Sequence, residues 1–220
     1  MELNLARIPS ELENHQPLIH VPKRVIYWKP ESKASKWVPI LSTQEEKQAA
    51  IKNGAMFFTW ASLSRPYTNS GSPEPHRWGD LPLDFDYPDD IRTALIDLRT
   101  LCLSHLPQIY DIDPHEINFF LSGSKGFHAI IPARLFGTEA GDPQLPLIYK
   151  KIAAKWKDDL KLKSLDLCLY CMKKGRMWRI PNIKRENGNY KVPLLLQEVM
   201  LADPEELMRL GTAPRILETF

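Results

Sequence analysis

The chain is 220 residues long with a formal net charge of +2, 43% hydrophobic and 25% charged residues. That allows one large domain or two closely packed small lobes of ordinary globular composition. Three cysteines are too few for a disulfide framework, and no run approaches a signal peptide or the ~18 apolar residues of a membrane span, so the expectation is a soluble, cytoplasmic protein without membrane partners.

In chain order, residues 24–30 (RVIYWKP) and 36–40 (KWVPI) read as short strands, and 43–54 as a helix ending at Gly54. Residues 55–63 (AMFFTWASL) read as a buried strand, and the Pro-, Gly- and Ser-rich segment 64–80 as a long loop. LPLDFDY (81–87) is a strand broken by Pro88. Apolar residues then recur at helical spacing from about Asp89 to Leu106. INFFLS (117–122) and FHAIIPA (127–133) are strands joined by a Gly-Ser-Lys-Gly turn. Residues 144–162 read as a basic helix, SLDLCLY (164–170) and RMWRIP (176–181) as a strand pair around MKKG, YKVPLLL (190–196) as a last strand, and 203–211 as a short capped helix. Strands and helices interleaved this irregularly predict an α+β (mixed α/β) fold.

The small net charge hides an uneven distribution. Residues 80–120 carry nine Asp or Glu against two Arg, whereas residues 145–195 carry 13 Lys or Arg against four Asp or Glu. An acidic segment followed by a basic one suits a metal site beside a phosphate-holding surface, and two solvated helix faces are the plainer alternative. Cys168 and Cys171 have a C-x-x-C spacing, yet no second Cys/His pair follows to complete a zinc site, so they read as ordinary residues.

On a strand, Asp84 and Asp86 point to one face while Leu83 and Phe85 point to the other. Two such carboxylates repel unless a cation lies between them, and hard oxygen ligands suit Mg²⁺ or Mn²⁺. A solvent-exposed strand end is the alternative. Asp166 is the one charge in the run from Ser164 to Tyr170, so it needs a cation or an ion-pair partner. At the turn from Ser122 to His128, two glycines leave backbone N–H groups open to an anion. Ser122, Ser124, Lys125 and His128 there make a candidate triphosphate cradle; a plain surface hairpin is the alternative. Arg179, Lys184 and Arg185 add phosphate-binding charge beside Trp178, which either stacks on a base or fills a core.

Taken together, LPLDFDY, SGSKGFHAII and SLDLCLYCMKKGRMWRIPNIK resemble, in order and spacing, the three motifs of the archaeo-eukaryotic primase superfamily, and within it the primase-polymerase catalytic core. The similarity spans roughly residues 55–196. It implies a small N-terminal α/β lobe (about 1–80), an RRM-like catalytic lobe (about 81–200) and a helical tail (201–220) within one catalytic domain. It implies that Asp84, Asp86 and Asp166 bind catalytic Mg²⁺ or Mn²⁺. It also implies that Ser122, Ser124, Lys125 and His128 hold the phosphates of a nucleoside triphosphate, with Arg179 and Lys184 assisting. The expected activity is template-directed nucleotidyl transfer by a DNA primase or polymerase. Its expected partners are a single-stranded DNA template and primer, and a helicase or other replication protein. The Cys/His cluster and helicase domain of many relatives are missing from this sequence, which leaves a minimal enzyme or a fragment. The alternatives are a catalytically silent primase-like binding protein and a metal-dependent nuclease.

Overall fold

The computed structural model describes residues 23–30, 36–68, 71–88, 90–136, 141–174 and 176–217. Asp89, at the expected helix start, and Gly175, in the expected MKKG turn, lie outside them. The fold is mixed α/β with two antiparallel sheets. The first holds β1 (Val25–Lys29), β2 (Val38–Leu41), β3 (Phe57–Thr59), β4 (Ser62–Leu63), β5 (Arg77–Trp78) and β9 (Met177–Arg179), in the order β5-β4-β1-β3-β9, with β2 also paired to β1. The second holds β6 (Leu81–Asp86), β7 (Asn118–Leu121), β8 (Gly126–Ile131) and β10 (Val192–Leu194), in the order β10-β7-β8-β6.

Helix α1 (Gln44–Lys52) starts where the Thr43 hydroxyl accepts from the Glu46 amide. Its Ala50 forms a small apolar cluster with Ala55 and Ile180. Helix α2 (Ile91–Arg99) is capped by Asp90, which accepts from the Arg92 amide. It runs through a π-helical stretch (Thr100–His105) into α3 (Leu106–Tyr110). The wider turn falls just before Pro107, whose ring would clash with the carbonyl of an α-helical turn. Helix α4 (Leu145–Leu160) contributes Tyr149 and Trp156 to the core, and α5 (Leu196–Leu201) and α6 (Pro204–Leu210) close the chain. Among the described residues no helix is long and apolar enough to cross a membrane.

Side chains along the second sheet alternate between its two faces. Leu81, Leu83 and Phe85 on β6, Phe127, Ala129 and Ile131 on β8, and Leu121 and Val192 beyond them lie beneath α2 and α4 in the main core. Burying one such side chain contributes about 1.5–3 kcal/mol. The opposite face is thereby left to Asp84, Asp86, His128, Phe120, Ser122 and Lys191.

Four expectations differ from the structure. The segment 164–170 is not a strand: only Leu165 bridges to Phe85, after which Leu167–Leu169 turn as a 3-10 helix capped by Asp166. RMWRIP does not pair with that segment either, because β9 joins β3 of the other sheet, with Trp178 opposite Phe58. The run 55–63 is two strands, since the chain bends between β3 and β4 as the Thr59 hydroxyl donates to the Ala61 carbonyl. The loop 64–80 contains β5, held by Arg77, whose guanidinium donates to the Pro75, Pro143 and Lys173 carbonyls and to Glu74.

Candidate active site

Asp84 lies at the centre of the polar face. Its cross-strand neighbour on β8 is His128, with Nε2 3.5 Å from Asp84 Oδ1. On its other side the Asp166 amide donates to the Asp84 carbonyl at 2.8 Å, and the Asp86 amide donates to the Ser164 carbonyl at 2.8 Å. Those two bonds flank the Phe85–Leu165 bridge, so Asp84 lies opposite Asp166 and Asp86 opposite Ser164 in the ladder, and the charges of Asp86 and Asp166 both act on Asp84. Directly opposed residues in such a ladder have Cβ atoms about 5 Å apart. The three acids are thus brought together.

What fixes Asp166 there comes from the helices. The buried Asp97 carboxylate of α2 accepts from both the Ser164 amide (2.7 Å) and hydroxyl (2.8 Å). The Lys157 ammonium of α4 donates to the Leu165 carbonyl at 2.6 Å. Sequence reading missed Asp97, because its partner lies 67 residues away.

Burial, then the charges of Asp86 and Asp166, push the Asp84 carboxyl up to about 7. This is the electrostatic conflict that a cation among the acids would relieve. The donor set is oxygen only, which fits Mg²⁺ or Mn²⁺. Among the described residues no three His, Cys, Asp or Glu side chains already stand at metal-ligand spacing. Instead the Asp166 carboxylate accepts from the Cys168 amide at 2.8 Å, and Asp86 pairs with Lys125 at 3.1 Å. The donor chemistry therefore fits a divalent cation, and Asp86 and Asp166 would have to turn from their present partners to complete its ligand set.

The turn between β7 and β8 is shaped by Ser122, whose hydroxyl accepts from the Ser124 and Gly126 amides at 3.3 Å each. Gly126 is required because a Cβ there would collide with the Phe85 carbonyl, and Gly123 has φ +77° against the Tyr190 carbonyl. Ser122 thus holds the turn, and Lys125 carries its exposed charge. His128 is buried against Trp178, ring centroids 4.2 Å apart. Burial, then Lys191, Arg185 and Arg179, hold its imidazole well below the usual histidine range, so it is neutral at neutral pH.

Cations close the other side. Arg179 is buried, with its guanidinium 4.3 Å over Phe57, and Arg185 donates to the Ser122 carbonyl at 2.9 Å. Lys184 is exposed, on a hairpin where it bridges to Tyr190, and no described interaction ties its side chain to the acids. Lys191 was not singled out from the sequence. It is fully buried, its ammonium 4.2 Å from the Trp178 ring and 4.7 Å from Phe120, without a hydrogen bond among the described residues. Burial lowers it to about 7, against the charge of Asp84, which raises it. Alternation with the core residues Val192 and Leu194 was the signal that could have found it.

No protein-family model matches this chain, and no curated protein matches it. Fold and site define a mixed α/β protein that gathers three acids, a neutral histidine and several cations on one face of a sheet.

Proposed function

We propose that the chain is a template-directed nucleotidyltransferase of the primase-polymerase kind, joining nucleotides on a single-stranded DNA template with release of pyrophosphate. The observation that carries this reading is the backbone pairing that lays Asp166 against Asp84, so that three carboxylates share a face with His128. Strand order supports it. Counting the 164–166 bridge as a strand, the second sheet runs bridge-β6-β8-β7 with helices between, a β-α-β-β-α-β arrangement like that of an RRM-like lobe, with β10 added at the edge.

Asp84, Asp86 and Asp166 would hold Mg²⁺ or Mn²⁺, which when bound supplies a sharpened 3′-hydroxyl nucleophile and neutralises the leaving pyrophosphate. The chain's own groups do the rest. Lys125 and Arg179 offer charge to the triphosphate, and the turn held by Ser122 presents backbone next to it. His128 is kept neutral and stacked, so it acts as a hydrogen-bonding group rather than a cation. Trp178 fixes the imidazole's orientation. The basic surface of residues 145–195, Lys184 included, would track template phosphates in a salt-dependent way.

The test is incubation with a single-stranded template, labelled nucleotides and Mg²⁺ or Mn²⁺, with and without an annealed primer. Extended primer or new primer supports the proposal; shortened strands point to a nuclease, and no product at all removes it. One observation favours a second reading, a catalytically silent nucleic-acid-binding protein: Asp86 and Asp166 are both engaged by protein groups. That reading expects DNA binding that survives Asp84→Asn together with no product.

A further inference from the structure

A cavity of about 660 Å³ opens against the first sheet, lined by none of Asp84, Asp86 and Asp166. Its volume lies within the roughly 300–1,000 Å³ of small-molecule sites. Asp80 and Ala133 form its rim at the start of β6 and the end of β8. Asp80 precedes Asp84 by four residues, roughly 13 Å along a strand. None of the three acids lines the cavity, and of the side chains given a part in the proposed reaction only Trp178 does.

Its lining has two parts. Trp60, Phe58 and Trp178 present aromatic surface. Arg24 and Lys47 present positive charge from β1's start and from α1. The Arg24 guanidinium lies 4.4 Å over the Trp78 ring, and Trp78 is seated against Gly141, where any Cβ would strike the indole. Ser62 holds the Trp78 carbonyl with a 3.3 Å hydrogen bond. Arg24 is thus a planar cation fixed in orientation before any ligand arrives, which lowers the ordering cost of binding an anion.

We infer that this cavity is a second nucleotide-binding site, taking the base against Trp60, Phe58 and Trp178 and the phosphate on Arg24 and Lys47. Aromatic faces beside a fixed guanidinium suit a base joined to a phosphate, because each half of the ligand meets a matching half of the wall. Asp80, whose carboxylate already accepts from the Ala133 amide, adds an acceptor at the rim for a base amino or sugar hydroxyl group. Trp178 belongs to both places, since it lines the cavity and stacks on His128. The ligand is either a free nucleotide or one unit of a single strand.

Tryptophan fluorescence tests this directly, because three of the chain's six tryptophans, Trp60, Trp78 and Trp178, line the cavity. The protein is titrated in EDTA, so that no metal loads the acids, with dAMP, dATP and the single strand (dA)5. Saturable quenching by any of them supports the site when Arg24→Gln and Lys47→Glu each weaken it by about tenfold while Asp84→Asn leaves it in place. Quenching by dAMP or dATP identifies a free-nucleotide site, and quenching by (dA)5 alone identifies a strand site. No quenching, or quenching lost in Asp84→Asn but kept in both cavity variants, overturns the inference. Lys47 sits on the partly exposed face of α1, so its variant guards against misfolding of the Arg24 variant, and a matching far-UV spectrum checks both. Since the readout is binding without metal, it can fail while nucleotidyl transfer succeeds, and the reverse.

Discussion

The two sheets divide the work differently. The second sheet puts its apolar residues on one face under α2 and α4, which leaves the other face able to collect groups that oppose folding: a carboxyl raised to about 7, a lysine lowered to about 7 and a neutral buried histidine. The first sheet has only a small apolar cluster of its own, and spends its surface on aromatic rings and fixed cations such as Arg24 on Trp78 and Arg179 on Phe57. Electrostatic strain stored on one sheet suits chemistry, and rings with matched cations on the other suit holding a ligand.

The largest effect is expected at Asp84. Asp84→Asn is expected to lower template-directed synthesis by at least about a thousandfold, as removal of a principal reacting-site charge does, read by primer extension. The same variant should be more stable than the wild type at pH 7, by roughly 2–4 kcal/mol. In the folded protein the carboxyl titrates near 7 rather than at its ordinary 3.8, so between those values the folded state holds the extra proton and stability falls as pH rises. Lys191 does the opposite above neutrality. Its ammonium titrates near 7 when folded and at its ordinary 10.5 when unfolded, so stability rises with pH across that window. Urea melts of the wild type should therefore show a minimum contribution from this pair near pH 7. Asp84→Asn should flatten the acid limb, and Lys191→Met the alkaline one.

Next in size is Arg77→Ala, which strips four acceptors of their donor, Glu74 and three carbonyls. Stability should drop by about 2–4 kcal/mol in denaturant melts, with synthesis per folded molecule nearly unchanged. Asp97→Asn acts on the site from behind, through Ser164. By loosening the Ser164 segment it should displace Asp166 and cost about 10- to 100-fold in kcat with little change in nucleotide KM, measured by steady-state extension. Smallest is Lys125→Gln, which removes an exposed charge paired to Asp86 and should raise nucleotide KM by about 3- to 10-fold.

The parts of this arrangement that depend on local alternation were readable from the sequence. LPLDFDY put Asp84 and Asp86 on one face and its apolar residues in the core, and the Gly-Ser-Lys-Gly turn joined the two expected strands. The parts that depend on distant pairing were not. SLDLCLY has the alternation of a strand, yet Asp166 serves as the cap of a turn, because a side chain two residues from a backbone amide can compete with the ladder. RMWRIP looked like the return strand of a local hairpin, but β3 supplied a better edge some 120 residues earlier in the chain, as the pairing of Trp178 with Phe58 records. Lys191 shows a third case: its alternation was legible, but its burial between two rings comes from β7 and β9 meeting.

Whether the three acids share a cation can be read from anomalous scattering of crystals soaked in Mn²⁺. A manganese peak is expected among the Asp84, Asp86 and Asp166 carboxylates, with Asp166 turned away from the Cys168 amide and Asp86 away from Lys125, and no peak in Asp84→Asn. Manganese bound elsewhere, with Asp166 still seated on the Cys168 amide, would contradict it.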